Sequence, residues 1–206
     1  YQKDFSYSGS GLEPLQQALA AGQGCILLSA HIGNWEISAA RLNAISKGRT
    51  SIVRIIDDSP MVRKFVEKSM GDAQPEHIDP RNFMAASLRI RAALSEGRLV
   101  CMLGDRQLDG QSAVRAPFLG QEATFSSGPF LVAGLTDAPI FIGFFLKRGR
   151  RHYHVEVDAP YYIRLPRKGP ARTLILQEAV NNWAKRMEKA VRKAPIQWHN
   201  FLNFWQ

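Results

Sequence analysis

Short apolar runs alternate with longer stretches of helical spacing along this chain, which predicts strands interleaved with helices. Cys25-Ile26-Leu27-Leu28-Ser29 has almost no polar interruption, the pattern of a strand buried on both faces. Ser51–Ile56, rich in β-branched residues, and Leu99–Leu103 read the same way. His77-Ile78 forms a shorter strand ahead of Pro80. Helical spacing covers Leu12–Ala21 before Gly22, Trp35–Lys47, Met61–Met70 behind Pro60, and Asn82–Glu96 before Gly97. Asp105 to Ser127 reads as a long connection, followed by a helix over Gly128–Leu135 and a strand over Pro139–Leu146. Tyr153–Val157 alternates inward and outward positions and pairs antiparallel with that strand. A long helix covers Ala171–Lys193. The βαβ rhythm predicts one three-layer α/β/α domain over residues 1–206, with a mainly parallel sheet.

Composition narrows this picture. Apolar residues make up 45% and charged residues 22%, ordinary for a globular chain, and no apolar run reaches the roughly 20 residues that span a bilayer. The chain begins at Tyr1 rather than Met, which leaves room for a trimmed start and an upstream membrane anchor. Cys25 and Cys101 lack C-x-x-C spacing and read as buried, inert thiols, so no metal site is expected. The net charge of +9 points to an anionic partner: lipid head groups, an acidic carrier protein or nucleic acid. Lys147-Arg148-Gly149-Arg150-Arg151 and Arg164-Leu165-Pro166-Arg167-Lys168 are the densest basic stretches. No recognised nucleic-acid motif accompanies them, and a solvated basic face explains each stretch alone.

The chemistry concentrates in Ser29-Ala30-His31-Ile32-Gly33-Asn34-Trp35-Glu36, where the first core strand gives way to a helix. In one regular helix, residues five apart are separated by about 140° around the axis, so His31 and Glu36 meet only if His31 precedes the helix. Gly33 and Asn34 supply the required curl and the helix start. An imidazole held by a carboxylate can take a proton from an attacking hydroxyl, and nearby backbone amides can stabilise the resulting oxyanion. The plain structural alternative is a strand-end histidine followed by a solvated first-turn acid. In open α/β sheets, ligands sit beyond the carboxyl ends of strands. His31, Arg54 and Asp105-Arg106 each follow or end a predicted core strand, so the three strand ends converge on one cleft. Arg54 is suited to a phosphate or carboxylate, or alternatively to Asp57 or Asp58. Asp105 and Arg106 form either an ion pair shaping the cleft or an ordinary surface turn, and Asp105 could also bind a substrate hydroxyl.

Pro117 to Phe130 is apolar for a connection. Phe118, Gly120 and Phe125 could line an acyl-chain channel, and the amides behind Gly128-Pro129 could hold an anionic group. Core packing is the alternative for either phenylalanine. If Pro195–Trp205 is helical, Trp198, Phe201, Leu202 and Trp205 share a face suited to a membrane interface or to docking on the domain's own core. His199 has no evident tie to the strand ends.

These residues together resemble the bacterial lysophospholipid acyltransferase superfamily, and within it the lipid A biosynthesis (lauroyl/myristoyl) acyltransferase-like branch. His31-Ile32-Gly33-Asn34-Trp35-Glu36 is similar to that group's H-x4-D/E motif, and Arg54 to the arginine in its following strand. Gly104-Asp105-Arg106 resembles the G-D-R element. Phe118-Leu119-Gly120, Ala123 and Gly128-Pro129-Phe130 resemble the F-x-G…A…G-P segment. Pro195 to Trp205 resembles the closing segment of an acyltransferase subgroup. Glu36 stands where many relatives carry aspartate, and no counterpart of the lipid A branch's N-terminal anchoring segment is expected within residues 1–206.

The resemblance implies a glycerolipid acyltransferase-like fold and a metal-free, cofactor-free O-acyltransfer with no acyl-enzyme. His31 would act as base, oriented by Glu36, on a hydroxyl of a lipid or glycolipid acceptor. The acyl group would come from a thioester of acyl carrier protein or coenzyme A. Arg54, Asp105, Arg106, Phe118, Gly120, Phe125, Gly128 and Pro129 would bind substrate. An anionic membrane surface would be the partner, at the cytoplasmic face of a bacterial inner membrane. The rivals are a thioesterase or lipid ester hydrolase using the same pair, and a non-catalytic lipid- or carrier-binding module. Ser29 as a nucleophile lacks a G-x-S-x-G elbow, and a dinucleotide enzyme would need a G-x-G-x-x-G fingerprint after the first strand.

Overall fold

A computed structural model describes residues 5–55, 75–107 and 112–205, apart from the side chains of Trp35, Glu36, Ile37 and Ala40. The helix expected over Met61–Met70, and Asp57 and Asp58 beside Arg54, lie outside the described residues.

Nine strands and five α-helices are described: β1 (Ser6–Ser10), α1 (Leu12–Ala20), β2 (Cys25–Ser29), α2 (Trp35–Ile45), β3 (Thr50–Val53), β4 (Glu76–Ile78), α3 (Phe83–Ser95), β5 (Leu99–Leu103), β6 (Ala113–Phe118), β7 (Gln121–Ser126), α4 (Gly128–Thr136), β8 (Ile140–Lys147), β9 (His152–Val157) and α5 (Pro170–Lys193). Seven strands form one sheet in the order β1-β9-β8-β2-β5-β3-β4. Every neighbouring pair is parallel except β8 and β9, which run antiparallel as the alternation in Tyr153–Val157 requires.

The strand side chains divide between two apolar layers. Ile26 and Leu28 of β2, Val100 and Met102 of β5, and Phe144 of β8 pack with residues of α3, α4 and α5. Cys25, Leu27, Leu99, Phe141 and Phe145 pack on the other face with Leu15 and Leu19 of α1 and Leu42 of α2. This is the expected three-layer arrangement. The contiguous apolar run in β2 follows from it, because β2 lies between β8 and β5 with helices on both faces.

Two elements differ from the sequence-based expectation, and the helix considered for the C-terminal stretch does not form. Ser6–Ser10 is an edge strand parallel to β9, held by its ladder and by Tyr7 stacking on Tyr153 at 6.2 Å between ring centroids. The expected long connection after Asp105 contains the antiparallel hairpin β6–β7. Its two-residue turn, Leu119-Gly120, has φ of 53° and 88°, the type I′ sign pattern that matches strand twist. The C-terminal stretch is not an α-helix: a single 3-10 turn covers Pro195–Gln197 and irregular chain follows.

These elements bring the site together. Registers such as Ser29 with Leu103 and Val53 with Met102 align the carboxyl ends of β2, β5 and β3. His31, Asp105 and Arg54 follow those ends.

Candidate active site

His31 leaves β2 through a tight turn in which the Ile32 N–H donates to the Ala30 carbonyl at 2.7 Å. Gly33 follows with φ of +74°, and a Cβ there would stand 1.9 Å from the Phe145 carbonyl oxygen. The chain can therefore curl into α2 against β8 only with glycine at this position. The Gly33 N–H donates outward to the Gln197 carbonyl at 2.8 Å.

The neighbouring strand delivers the carboxylate. After β5, the Gly104 N–H donates to the Ser29 carbonyl at 2.8 Å and the Trp183 indole donates to the Gly104 carbonyl at 3.2 Å. These bonds fix the start of the turn that carries Asp105. Asp105 Oδ1 accepts from His31 Nδ1 at 2.8 Å, and Oδ2 accepts from the His31 backbone N–H at 3.0 Å. The Trp198 indole Nε1 donates to Oδ2 at 3.3 Å. The Asp105 side chain is 2% exposed and that of His31 is 21% exposed. A buried carboxylate needs such partners, and here three donors converge on it.

An ionised carboxylate only accepts, so Nδ1 donates to it, and in the neutral imidazole Nε2 then presents its lone pair. Among the described residues Nε2 has no hydrogen-bond partner. The arrangement is an oriented base whose free nitrogen faces away from its carboxylate.

The carboxylate on Nδ1 is Asp105, for which the sequence leaves open an ion pair with Arg106, a substrate hydroxyl contact or an ordinary surface turn. The expectation for Glu36 falls on a side chain outside the described residues, in the first turn of α2. Arg106 turns from Asp105: its Nη2 donates to the His199 carbonyl at 3.1 Å, while its Nε is buried without a partner. Arg54 is anchored towards the sheet edge, its Nε donating to His77 Nδ1 at 3.3 Å.

Phe118 and Phe125 are fully buried and meet edge-to-face at 5.7 Å. They belong to the packed core of the hairpin rather than to an open channel. Phe118 still touches the site indirectly, through an edge-to-face contact with Trp198 at 5.5 Å. Gly120 forms the hairpin turn. At the start of α4 the Gly128 N–H is taken by the Ser126 hydroxyl at 3.2 Å, and Pro129, without an N–H, is buried.

The structure adds two residues that spacing could not reveal. Trp198 reaches Asp105, and His199 is tied to the site, its N–H donating to the His31 carbonyl at 2.7 Å and its Nε2 lying 3.1 Å from the Gly33 carbonyl. The aromatic, helix-breaking Pro195–Trp205 segment was the available signal. It runs antiparallel to the turn after β2 at an Ile32–Trp198 bridge.

An apolar crevice of about 30 Å³ lies between α2 and the sheet, lined by Leu27, Ser29, Ile32, Leu42, Cys101 and Phe145. It opens beside the same strand ends. Burial pushes the Cys25 thiol up to about 12, consistent with an inert core cysteine. No group of three metal-ligating side chains occurs among the described residues, and none of their helices is long and apolar enough to cross a membrane.

A family model described as bacterial lipid A biosynthesis acyltransferase matches residues 1–206. The chain is 27% identical over 133 residues to a phosphatidylinositol mannoside acyltransferase of Mycolicibacterium smegmatis, covering 63% of this chain and 42% of that protein. It is 28% identical over 134 residues to the protein of the same name from Mycobacterium tuberculosis, covering 63% and 41%. The chain thus spans about two fifths of the length of these curated relatives. Among solved structures, a 1-acyl-sn-glycerophosphate acyltransferase, PlsC, of Thermotoga maritima aligns at a TM-score of 0.48 and 13% identity, over 91% of this chain and 73% of that one.

Proposed function

The chain belongs to the bacterial lipid A biosynthesis acyltransferase family, and from that premise we propose that it transfers a fatty acyl group from a thioester to a hydroxyl of a lipid or glycolipid acceptor, with His31 as base. The observation that carries this reading is the His31–Asp105 pair, with Nδ1 held at 2.8 Å and Nε2 free. Nε2 takes the acceptor hydroxyl proton as the oxygen attacks the thioester carbonyl carbon. The oxyanion collapses, the C–S bond breaks, and the imidazolium returns its proton to the departing thiolate. Ester and free thiol are the products, with no metal and no acyl-enzyme. Asp105 keeps Nδ1 protonated and supports the imidazolium charge. The amides opening α2 offer the positive end of a helix to the oxyanion.

Donor and partner belong to the same proposal. The thioester is carried by acyl carrier protein or coenzyme A, and Arg54 and Arg106 supply cations near its phosphates. The +9 charge favours acidic carrier and anionic membrane alike. The protein works at the cytoplasmic face of the inner membrane, peripherally or through a segment beyond this chain.

The test is incubation with acyl-carrier-protein and acyl-coenzyme A thioesters, separately, against lysophospholipid and glycolipid acceptors, read by mass spectrometry. Acylated acceptor supports the proposal. Thioester consumed with only free fatty acid released identifies a hydrolase. Binding of carrier or vesicles without turnover identifies a non-catalytic module.

A further inference from the structure

The segment from Pro195 to Trp205 shows two opposite faces. Inward, Trp198 and Phe204 pack with Phe118 and Phe125, and Trp198 with Phe204 at 5.0 Å. Outward, Ile196 is 93% exposed, Phe201 86% and Leu202 60%. Trp205 is partly exposed, its indole donating to the Phe118 carbonyl at 3.3 Å. A segment that half-buries two aromatic rings and extrudes three large apolar side chains in a short stretch is not following the usual solvent-facing pattern.

The segment is also firmly placed. The Gln197 side chain accepts from the Lys147 N–H at 2.7 Å and donates to the Lys147 carbonyl at 2.9 Å. Lys147 begins the exposed turn Lys147-Arg148-Gly149-Arg150-Arg151 between β8 and β9. On its other side the segment is bonded to His31, Gly33 and Arg106. Exposed apolar side chains, a cluster of four cations and the catalytic turn are therefore joined by direct hydrogen bonds.

We propose that this segment is the element by which the protein enters an anionic bilayer, with Ile196, Phe201 and Leu202 inserted among acyl chains and the Lys147–Arg151 turn against head groups. Charge complementarity and the extruded apolar residues together select this occupant. An acidic carrier protein would account for the cations but leaves the apolar side chains unexplained. The Trp205 indole, part apolar and part hydrogen-bonding, suits the interfacial depth between them. Because the same segment holds His31 through the His199 backbone N–H and Asp105 through the Trp198 indole, insertion sets the mouth of the site at the membrane surface, where a lipid acceptor's hydroxyl reaches Nε2. This last step rests on the acyl-transfer reading; the bilayer contact does not.

The experiment compares the full chain with the triple variant Ile196→Ser, Phe201→Ser, Leu202→Ser. Sedimentation uses vesicles of phosphatidylcholine with phosphatidylglycerol, and vesicles of phosphatidylcholine alone. Acyl transfer is measured in parallel with a short-chain thioester and a water-soluble acceptor, so that catalysis is read without a bilayer. The parent should pellet with the anionic vesicles, more weakly as salt rises, and the variant's partitioning should fall about tenfold or more. Activity on soluble substrates should be unchanged in the variant. Failure of the parent to bind anionic vesicles overturns the proposal, as does full retention of binding by the variant. Loss of acyl-carrier-protein binding in the variant, with vesicle binding intact, assigns the face to the carrier and also overturns it. If vesicle binding behaves as expected but the parent shows no transfer, the acyl-transfer reading fails and the bilayer contact stands.

Discussion

Asp105 holds His31 at two points, Oδ1 on the ring Nδ1 at 2.8 Å and Oδ2 on the backbone N–H at 3.0 Å. One carboxylate thus fixes both the tautomer of the imidazole and the path of the chain that carries it. Asp105→Asn preserves the shape but can present an amide N–H where the imidazole needs an acceptor. Acyl transfer should fall on the order of a hundredfold or more, while Glu36→Gln should cost less than about tenfold. Side-by-side initial rates check this; a larger loss in Glu36→Gln would return the orienting role to Glu36.

Trp198 supplies the third donor to that carboxylate, at 3.3 Å. Trp198→Phe keeps an aromatic ring against Phe118 and removes only the N–H. The expected effect is a fall in kcat of roughly ten- to a hundredfold with little change in KM, since a hydrogen bond to a charged group is worth about 1.5–3 kcal/mol. A loss confined to KM would show that the indole serves binding instead.

Gly33→Ala tests the turn itself. Its Cβ would fall 1.9 Å from a backbone oxygen, and the left-handed φ already disfavours it. Both effects act on folded structure, so the variant should lose about 3 kcal/mol or more in denaturant unfolding and most of its activity. Native stability in this variant would mean that the turn is not built as described.

Glu76 should contribute to acid sensitivity. Burial opposes its charge, but hydrogen bonds from Arg89 and Ser51, with the charges of Arg89 and Arg98, outweigh burial and hold the carboxyl below its ordinary value of 4.5. A lowered folded-state value means that this stabilisation is complete above the unfolded value and disappears as pH falls through the folded one. Unfolding midpoints should therefore drop below about pH 4.5 in the parent, and Glu76→Gln should flatten that dependence while costing about 1–2 kcal/mol at neutral pH. An unaltered pH profile in the variant would exclude the cluster as its source.

Much of this architecture is legible from residue pattern alone. Cys25–Ser29 and Leu99–Leu103 are strands with the expected bounds, because uninterrupted apolar runs fit only the centre of a sheet covered on both faces. The hairpin was hidden by Arg115 and Pro117 on its outer side, although Ala116, Phe118, Ala123 and Phe125 keep the alternation of a half-buried ribbon. Ser6–Ser10 carries little apolar signal, since β9 and Tyr153 supply most of its contacts. At the site, His31 was identifiable from its place after a core strand. Its partner was not, because Asp105 is 74 residues distant and meets it only through the parallel register of β2 and β5. Trp198 and His199 arrive from still further along the chain, by a contact that no local spacing encodes.

The central claim is that the free Nε2 of His31 activates an acceptor hydroxyl. The most direct measurement is acyl transfer from thioester to lipid acceptor by the parent chain and by His31→Ala, each first shown by circular dichroism and thermal unfolding to be folded. The parent should form acylated acceptor, and His31→Ala should lose on the order of a thousandfold of that rate. Transfer at an unchanged rate in folded His31→Ala would contradict the account.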